Sequence, residues 1–157
     1  MTALQIHFVK TLLPAAIAAG AAFNMNPNIL LTQAAFESGW ATSNLSKKHR
    51  NYFGLTAYGC SNAYWHGKKV TVATKSYSLD FRHYDTAENS FLDFARLIRN
   101  NYRQAWSLSN DPEAYAREIA YSRYISEQNG DCRETYRRSL VQIERTVRAI
   151  IALSTEN

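Results

Sequence analysis

The sequence predicts a mainly α fold of the α+β class: a helical domain with a small β-lobe beside a cleft. Apolar residues recur at helical spacing near the N-terminus and again over the C-terminal half. Between them, residues 41–84 change character. Gly54, Gly59 and Gly67 punctuate this stretch, and Val70, Val72 and Thr74 alternate with Thr71, Ala73 and Lys75 as a strand would. At 157 residues and 46% hydrophobic content, the chain suits one domain with a real core, so residues 1–157 are expected to form a single unit.

The first helix is expected over residues 2–22, with Ile6, Val9, Leu13 and Ile17 on one face and Pro14 interrupting and kinking it. Asn26 is a good N-cap and Pro27 suits a first turn, so a second helix should run over residues 27–38 and stop at Gly39. After the β-lobe, Asp85 with Glu88 resembles a capping box for the stripe Ala87, Phe91, Phe94, Ala95, Ile98 and Tyr102. Asp111-Pro112 opens another helix, with Ala116, Ile119 and Ala120 inward. Asp131 with Glu134 caps the last, where Tyr136, Leu140, Ile143, Val147 and Ile150 oppose Arg133, Arg138, Arg145 and Arg148.

Composition narrows the function classes. A net charge of +5 favours an anionic partner: nucleic acid, membrane or cell wall. The basic residues are scattered and carry no nucleic-acid recognition motif, so nucleic acid is not expected as a partner. Lys47-Lys48-His49-Arg50 is a basic cluster, either a solvated loop or an attractor of acidic wall groups. Residues 12–23 lack the charged start and apolar centre of a standard signal peptide and read as a core helix. No run is expected to reach membrane-spanning length, so no membrane insertion is expected.

Cys60 and Cys132 make no metal motif; they are either two free thiols or one disulfide. His49, His66 and His83 form no metal pattern, and the zincin signature, phosphate loop and dinucleotide fingerprint are absent. Neither metal nor cofactor is expected.

Glu37 is the most informative residue. It ends a helix that is otherwise apolar or small, and Gly39 and Trp40 follow at once. Desolvation disfavours the charged carboxylate, as does the negative end of the helix dipole. Both effects raise the pKa, which suits a general acid that protonates a leaving oxygen near neutral pH. For an isolated Glu the plainer reading is a surface residue at a helix end.

The context changes that balance. Gln33-Ala34-Ala35-Phe36-Glu37-Ser38-Gly39-Trp40 resembles the catalytic helix end of the glucosaminidase family of peptidoglycan hydrolases (glycoside hydrolase family 73). Asn51-Tyr52-Phe53-Gly54 is similar to the family's Asn-Leu-Phe-Gly, and Phe81-Arg82-His83-Tyr84 to its Phe-Arg-x-Tyr, with Ser90 at the expected distance. Tyr124-Ile125-Ser126-Glu127 is similar to its Tyr-Ala-Thr-Asp. Each motif is weak alone; their order and spacing over residues 27–145 are specific.

The resemblance implies a lysozyme-like catalytic domain and cleavage of β-1,4 bonds in peptidoglycan, with endo-β-N-acetylglucosaminidase action expected. It implies Glu37 as acid and Tyr124 as a helper whose hydroxyl meets the N-acetyl group or the developing charge. Trp40, Tyr52, Phe53, Tyr64, Trp65 and Tyr77 are the candidates for contact with sugar rings. One departure matters: where the family often has a second carboxylate, within Thr-x-Glu-Tyr, this chain has Ser76. Asp80 or Asp85 could supply it from nearby, the substrate's own N-acetyl group could replace it, or Glu37 could act through water alone.

The alternatives within this fold are a muramidase or a lytic transglycosylase. Outside catalysis, the alternative is a wall-binding module that has lost turnover. A bare domain of this kind resembles phage endolysins and type VI secretion effectors. Such a chain is expected to be made in the cytoplasm, to act as a monomer in the periplasm of a target cell and, as an effector, to have a cognate immunity protein. A Cys60–Cys132 disulfide would suit that setting.

Overall fold

The computed structural model describes residues 1–126 and 132–156. Helix α1 (Ala3–Phe23) starts on a capping box: the Thr2 side chain accepts from the Gln5 amide, and the Gln5 side chain accepts from the Thr2 amide. It runs through Pro14 without the expected interruption. Pro14 is exposed, so water can satisfy the carbonyl it leaves without a partner. The inward face is also not the expected one. Phe8, Val9, Leu12, Ala16 and Ala19 are buried, whereas Ile17 is exposed. A helix apolar on most sides offers two overlapping stripes. The chosen one carries the alanines, which let α2 (Pro27–Ser38) and α4 (Ala87–Asn101) approach closely.

At 21 residues, α1 is long and apolar enough to cross a membrane, contrary to the expectation for this chain. Its packing against α2 and α4 makes it a core helix.

The centre is α2. Ile29, Leu30, Leu31, Thr32, Gln33, Ala34 and Ala35 are all buried, because α1 covers one side and α7 (Arg133–Thr155) the other. Asn26 caps it and Gly39 ends it in the left-handed conformation, as the sequence predicts. The α1–α2 corner is tight: a β-carbon on Gly20 would lie 2.5 Å from the Met25 carbonyl oxygen.

The stretch expected to be a β-lobe is mixed. A short helix, α3 (Asn44–His49), carries most of the basic cluster that reads as a loop. One antiparallel hairpin follows, β1 (Lys69–Ala73) with β2 (Ser78–Arg82), pairing Val70 with Phe81 and Val72 with Leu79. Turns and loops make up the rest.

This lobe is fastened to α4 by a buried charge network. Arg82 donates to Asp93 at 2.6 Å, and Tyr84, Arg96 and Asn62 donate to the same carboxylate. Burial pushes the Asp93 carboxyl up, but these donors outweigh it and hold it below the usual range. The Phe-Arg-x-Tyr stretch therefore supplies the anchor of the lobe. Asn51 adds to it, donating to the Leu55 and Arg82 carbonyls while accepting from the Leu55 amide.

The cap of α4 is Thr86, one residue beyond the expected Asp85, and it accepts from Asn89. Asp85 instead pairs with His66 at 3.0 Å. A short α5 (Arg103–Ser107) and α6 (Pro112–Ala120) follow, the latter capped by Asp111. Asp131, the expected cap of the last helix, lies outside the described residues, as does Glu127. Helix α7 buries Tyr136, Leu140, Val147 and Ile150 as expected, but Ile143 is only half-buried and Glu144 is buried beside Arg148.

Candidate active site

Glu37 occupies the last turn of α2, half-buried, one residue before the C-terminal Ser38. Ser38 is buried, donates to the Ala34 carbonyl and accepts from the Ala41 amide, which fixes the turn after the helix. A groove of about 390 Å³ opens over Glu37, lined by Phe36, Ile125, Cys132, Thr135, Tyr136 and Ser139. Its walls are the end of α2, the start of α7 and the turn after α6.

Gly54 faces the carboxylate from the other lobe. Its φ is +66°, and a β-carbon there would sit 4.0 Å from Glu37 Oε2. The 51–54 loop is held for this approach by Asn51 and by the Tyr52 amide, which donates to Ser90 Oγ at 3.3 Å. Ser90 thus positions the loop.

Tyr124 precedes the groove-lining Ile125 and lies within reach of the Glu37 charge, but does not itself line the groove. Burial first, and then the Glu37 carboxylate and Tyr136, Tyr115 and Tyr102, push its phenol well above the ordinary value. It therefore stays protonated and is a neutral donor. Its ring lies edge-on to Tyr102 at 5.5 Å and to Phe94 at 6.4 Å.

Beneath the groove runs a hydrogen-bonded chain centred on Gln33, the first residue of the motif around Glu37. Tyr115 donates to Gln33 Oε1 at 2.9 Å, and Gln33 Nε2 donates to the Tyr136 hydroxyl at 2.8 Å. Gln33 is fully buried in an otherwise apolar helix, and that misplaced polarity is the signal that could have marked it. Tyr136 belongs to the apolar stripe of α7 by spacing, yet its ring packs edge-on to Phe36 at 4.9 Å and borders the groove.

The other expected residues divide. Phe53 is buried, stacked on Phe94 at 4.0 Å, and is core rather than a sugar platform. Trp65 is also buried, its indole donating to the Lys68 carbonyl at 2.7 Å beneath the Arg82 guanidinium. Tyr64 is half-buried against Phe23, and Tyr77 is exposed at the hairpin turn. Trp40 and Tyr52 line a separate groove beside α1.

Ser76 lies in the exposed hairpin turn. Asp80 accepts from Thr71 at 2.6 Å and Lys69 at 3.1 Å, and the two bonds hold it below the usual carboxylate range. His66 does the same for Asp85. Neither Asp is among the groove-lining residues.

Cys60 and Cys132 are free and exposed, so the disulfide weighed from the sequence is not formed. Cys132 stands at the start of α7, inside the Glu37 groove, where bonding to Thr135 favours the thiolate. The described residues contain no cluster of metal-binding side chains.

Known proteins resemble this chain in sequence and in fold. The glucosaminidase family, described as mannosyl-glycoprotein endo-β-N-acetylglucosaminidase, matches residues 13–149. The peptidoglycan hydrolase FlgJ of Vibrio parahaemolyticus is 28% identical, over 91% of this chain and 47% of its own length. That of Pseudomonas aeruginosa is 27% identical, over 99% of this chain and 40% of its own length. The chain thus spans less than half of these curated relatives.

Among solved structures, the glycoside hydrolase domain of Salmonella typhimurium FlgJ superposes with a TM-score of 0.75 at 23% identity, covering 99% of this chain and 94% of that one. A type VI secretion effector–immunity complex from Pseudomonas protegens gives 0.73 at 21%, covering 96% of each chain. The fold is the lysozyme-like one of these hydrolase domains, and over residues 13–149 the chain belongs to the glucosaminidase family.

Proposed function

We propose that this chain hydrolyses β-1,4 glycosidic bonds of peptidoglycan as an endo-β-N-acetylglucosaminidase, with Glu37 as the general acid. The observation that carries this reading is a half-buried carboxyl at the end of α2, with a groove open over it and Gly54 facing it from the other lobe. Glu37 gives its proton to the glycosidic oxygen as the bond to C1 breaks. Tyr124 donates a hydrogen bond to the N-acetyl carbonyl or to the oxygen where charge develops.

Asp80 is a poor base, because Thr71 and Lys69 already occupy its oxygens. This favours participation by the substrate's own N-acetyl group. Its carbonyl oxygen closes on C1 as the leaving sugar departs. Water then reopens that ring, giving its proton to the Glu37 carboxylate and restoring the acid.

The test is cleavage of purified sacculi, with products read by mass spectrometry. Glu37→Gln should lower the rate by about 10²–10⁴-fold. New N-acetylglucosamine reducing ends support the reading, whereas muramic reducing ends or anhydro ends assign the chain to a muramidase or a lytic transglycosylase. Equal cleavage by Glu37→Gln removes the acid assignment.

The setting we propose is periplasmic action by a monomer. Delivery as an effector, with an immunity protein closing the groove, fits a fold shared with the P. protegens complex. The free cysteines leave that setting without the support of a disulfide.

A further inference from the structure

We propose that a second groove, between the start of α1 and the end of α3, binds the acidic stem peptides that peptidoglycan strands carry. This rests on the peptidoglycan reading above. The groove has a volume of about 410 Å³ and shares no lining residue with the groove over Glu37. Phe8 and Trp40 meet edge-to-face at 5.3 Å within it, and Tyr52 lines it as well. Exposed Lys47, Arg50 and His7 stand around these rings, and none of the lining residues is acidic.

Three features point to a ligand that carries carboxylates. First, Lys47 and Arg50 both border this one groove, and neither has an ion pair among the described residues. Second, the Arg50 charge reaches the Tyr52 phenol, where it opposes the effect of burial, so the cation and the aromatic wall act on one volume. Third, Trp40 and Ala41 are held left-handed, at φ of +58° and +65°. That conformation is disfavoured for a side chain with a β-carbon. The Ser38 hydroxyl and the Ala35 carbonyl hold the strained turn, which places the indole in the groove.

A short acidic peptide fits this chemistry. Its carboxylates meet the ammonium and guanidinium groups, and its methyl groups lie on the rings. A neutral sugar would leave both cations unused. The 51–54 loop reaches both grooves, since Tyr52 lines this one and Gly54 faces Glu37. A glycan strand over Glu37 would thus hold its peptide on the far side of one loop.

The test is NMR titration of the wild-type chain with the free stem tripeptide of L-alanine, D-glutamate and meso-diaminopimelate. This probe has no glycosidic bond, so binding is read apart from turnover. The Trp65 and Trp106 indoles are bonded to the Lys68 and Phe23 carbonyls and serve as internal references. The Trp40 indole signal should move alone, less so at high salt. The double variant Lys47→Glu/Arg50→Glu should bind at least roughly tenfold more weakly while keeping the reference signals in place.

An unmoved Trp40 signal overturns the proposal. So does an N-acetylglucosamine oligomer that moves Trp40 as strongly and ignores the charge reversal. A shift that follows protein concentration without peptide would give the groove to a second copy instead. Peptide binding without cleavage of sacculi would remove the hydrolase reading and keep the groove, and cleavage without peptide binding would do the reverse.

Discussion

The Gln33 amide donates to the Tyr136 hydroxyl at 2.8 Å, so Tyr136 must direct its own proton elsewhere. Its ring borders the groove over Glu37, and Gln33 is itself fixed by Tyr115. A buried helix residue therefore sets the donor direction of a phenol at the site. Gln33→Met keeps the volume and removes both bonds, taking from the buried Tyr115 phenol its acceptor. Stability should fall by about 1–3 kcal/mol in urea unfolding. Cleavage should slow through kcat more than KM, and an unchanged kcat would confine Gln33 to a packing role.

Asp93 gathers Arg82, Arg96, Tyr84 and Asn62 between the β-lobe and α4. Asp93→Ala leaves a buried guanidinium uncompensated and should cost about 3–5 kcal/mol in denaturant titration. The pH dependence follows from the depressed Asp93 pKa. The unfolded chain binds this proton more readily, so the contribution is full above about pH 4 and is lost as pH falls through the folded value. Thermal melts between pH 6 and pH 2 should show that loss, and Asp93→Asn should flatten it.

Gly54→Ala puts a methyl group in front of Glu37 and a side chain at positive φ. The conformational cost should be roughly 1–2 kcal/mol in the same unfolding assay. The kcat/KM for sacculi should drop by more than that stability change explains, because the methyl occupies space beside the carboxyl proposed as the acid.

His49 and His83 face each other with Nδ1 atoms 3.0 Å apart, where α3 meets the end of β2. Burial, then the His49 charge, lower the His83 pKa, with Lys68 and Arg50 acting in the same sense and Asp85 opposing them. A histidine with a lowered folded pKa contributes fully above about pH 6.5, and its contribution is lost as pH falls toward the folded value. Melting temperature should therefore decline from pH 8 to pH 5, and His83→Gln should reduce that slope. An identical slope in the variant would move the cause elsewhere.

Gly20→Ala would bring a methyl group within 2.5 Å of the Met25 carbonyl oxygen. Backbone cannot yield as a flexible side chain does, so the variant should lose about 1–3 kcal/mol despite the better helix propensity of alanine.

Local signals were legible in the sequence. Asn26-Pro27 and Gly39 fixed the ends of α2, and hence the place of Glu37, because caps act through neighbouring backbone groups. The alternation at Val70 and Val72 marked β1, and Asp111-Pro112 marked α6. The ordered motifs identified the family.

Tertiary structure decided what depends on residues far apart in the chain. The phase of α1 was open because several of its faces are apolar, and close packing selected the face with alanines. Phe53 and Trp65 carry rings suited to sugars, but only the packed core shows them enclosed. Gln33 joins Tyr115 and Tyr136 across 82 and 103 residues, a link that no local pattern encodes. Glu37 itself was set by its own helix; Tyr136 was brought to its groove by α7 packing on α2, Ile125 by the turn after α6, and Gly54 by the 51–54 loop.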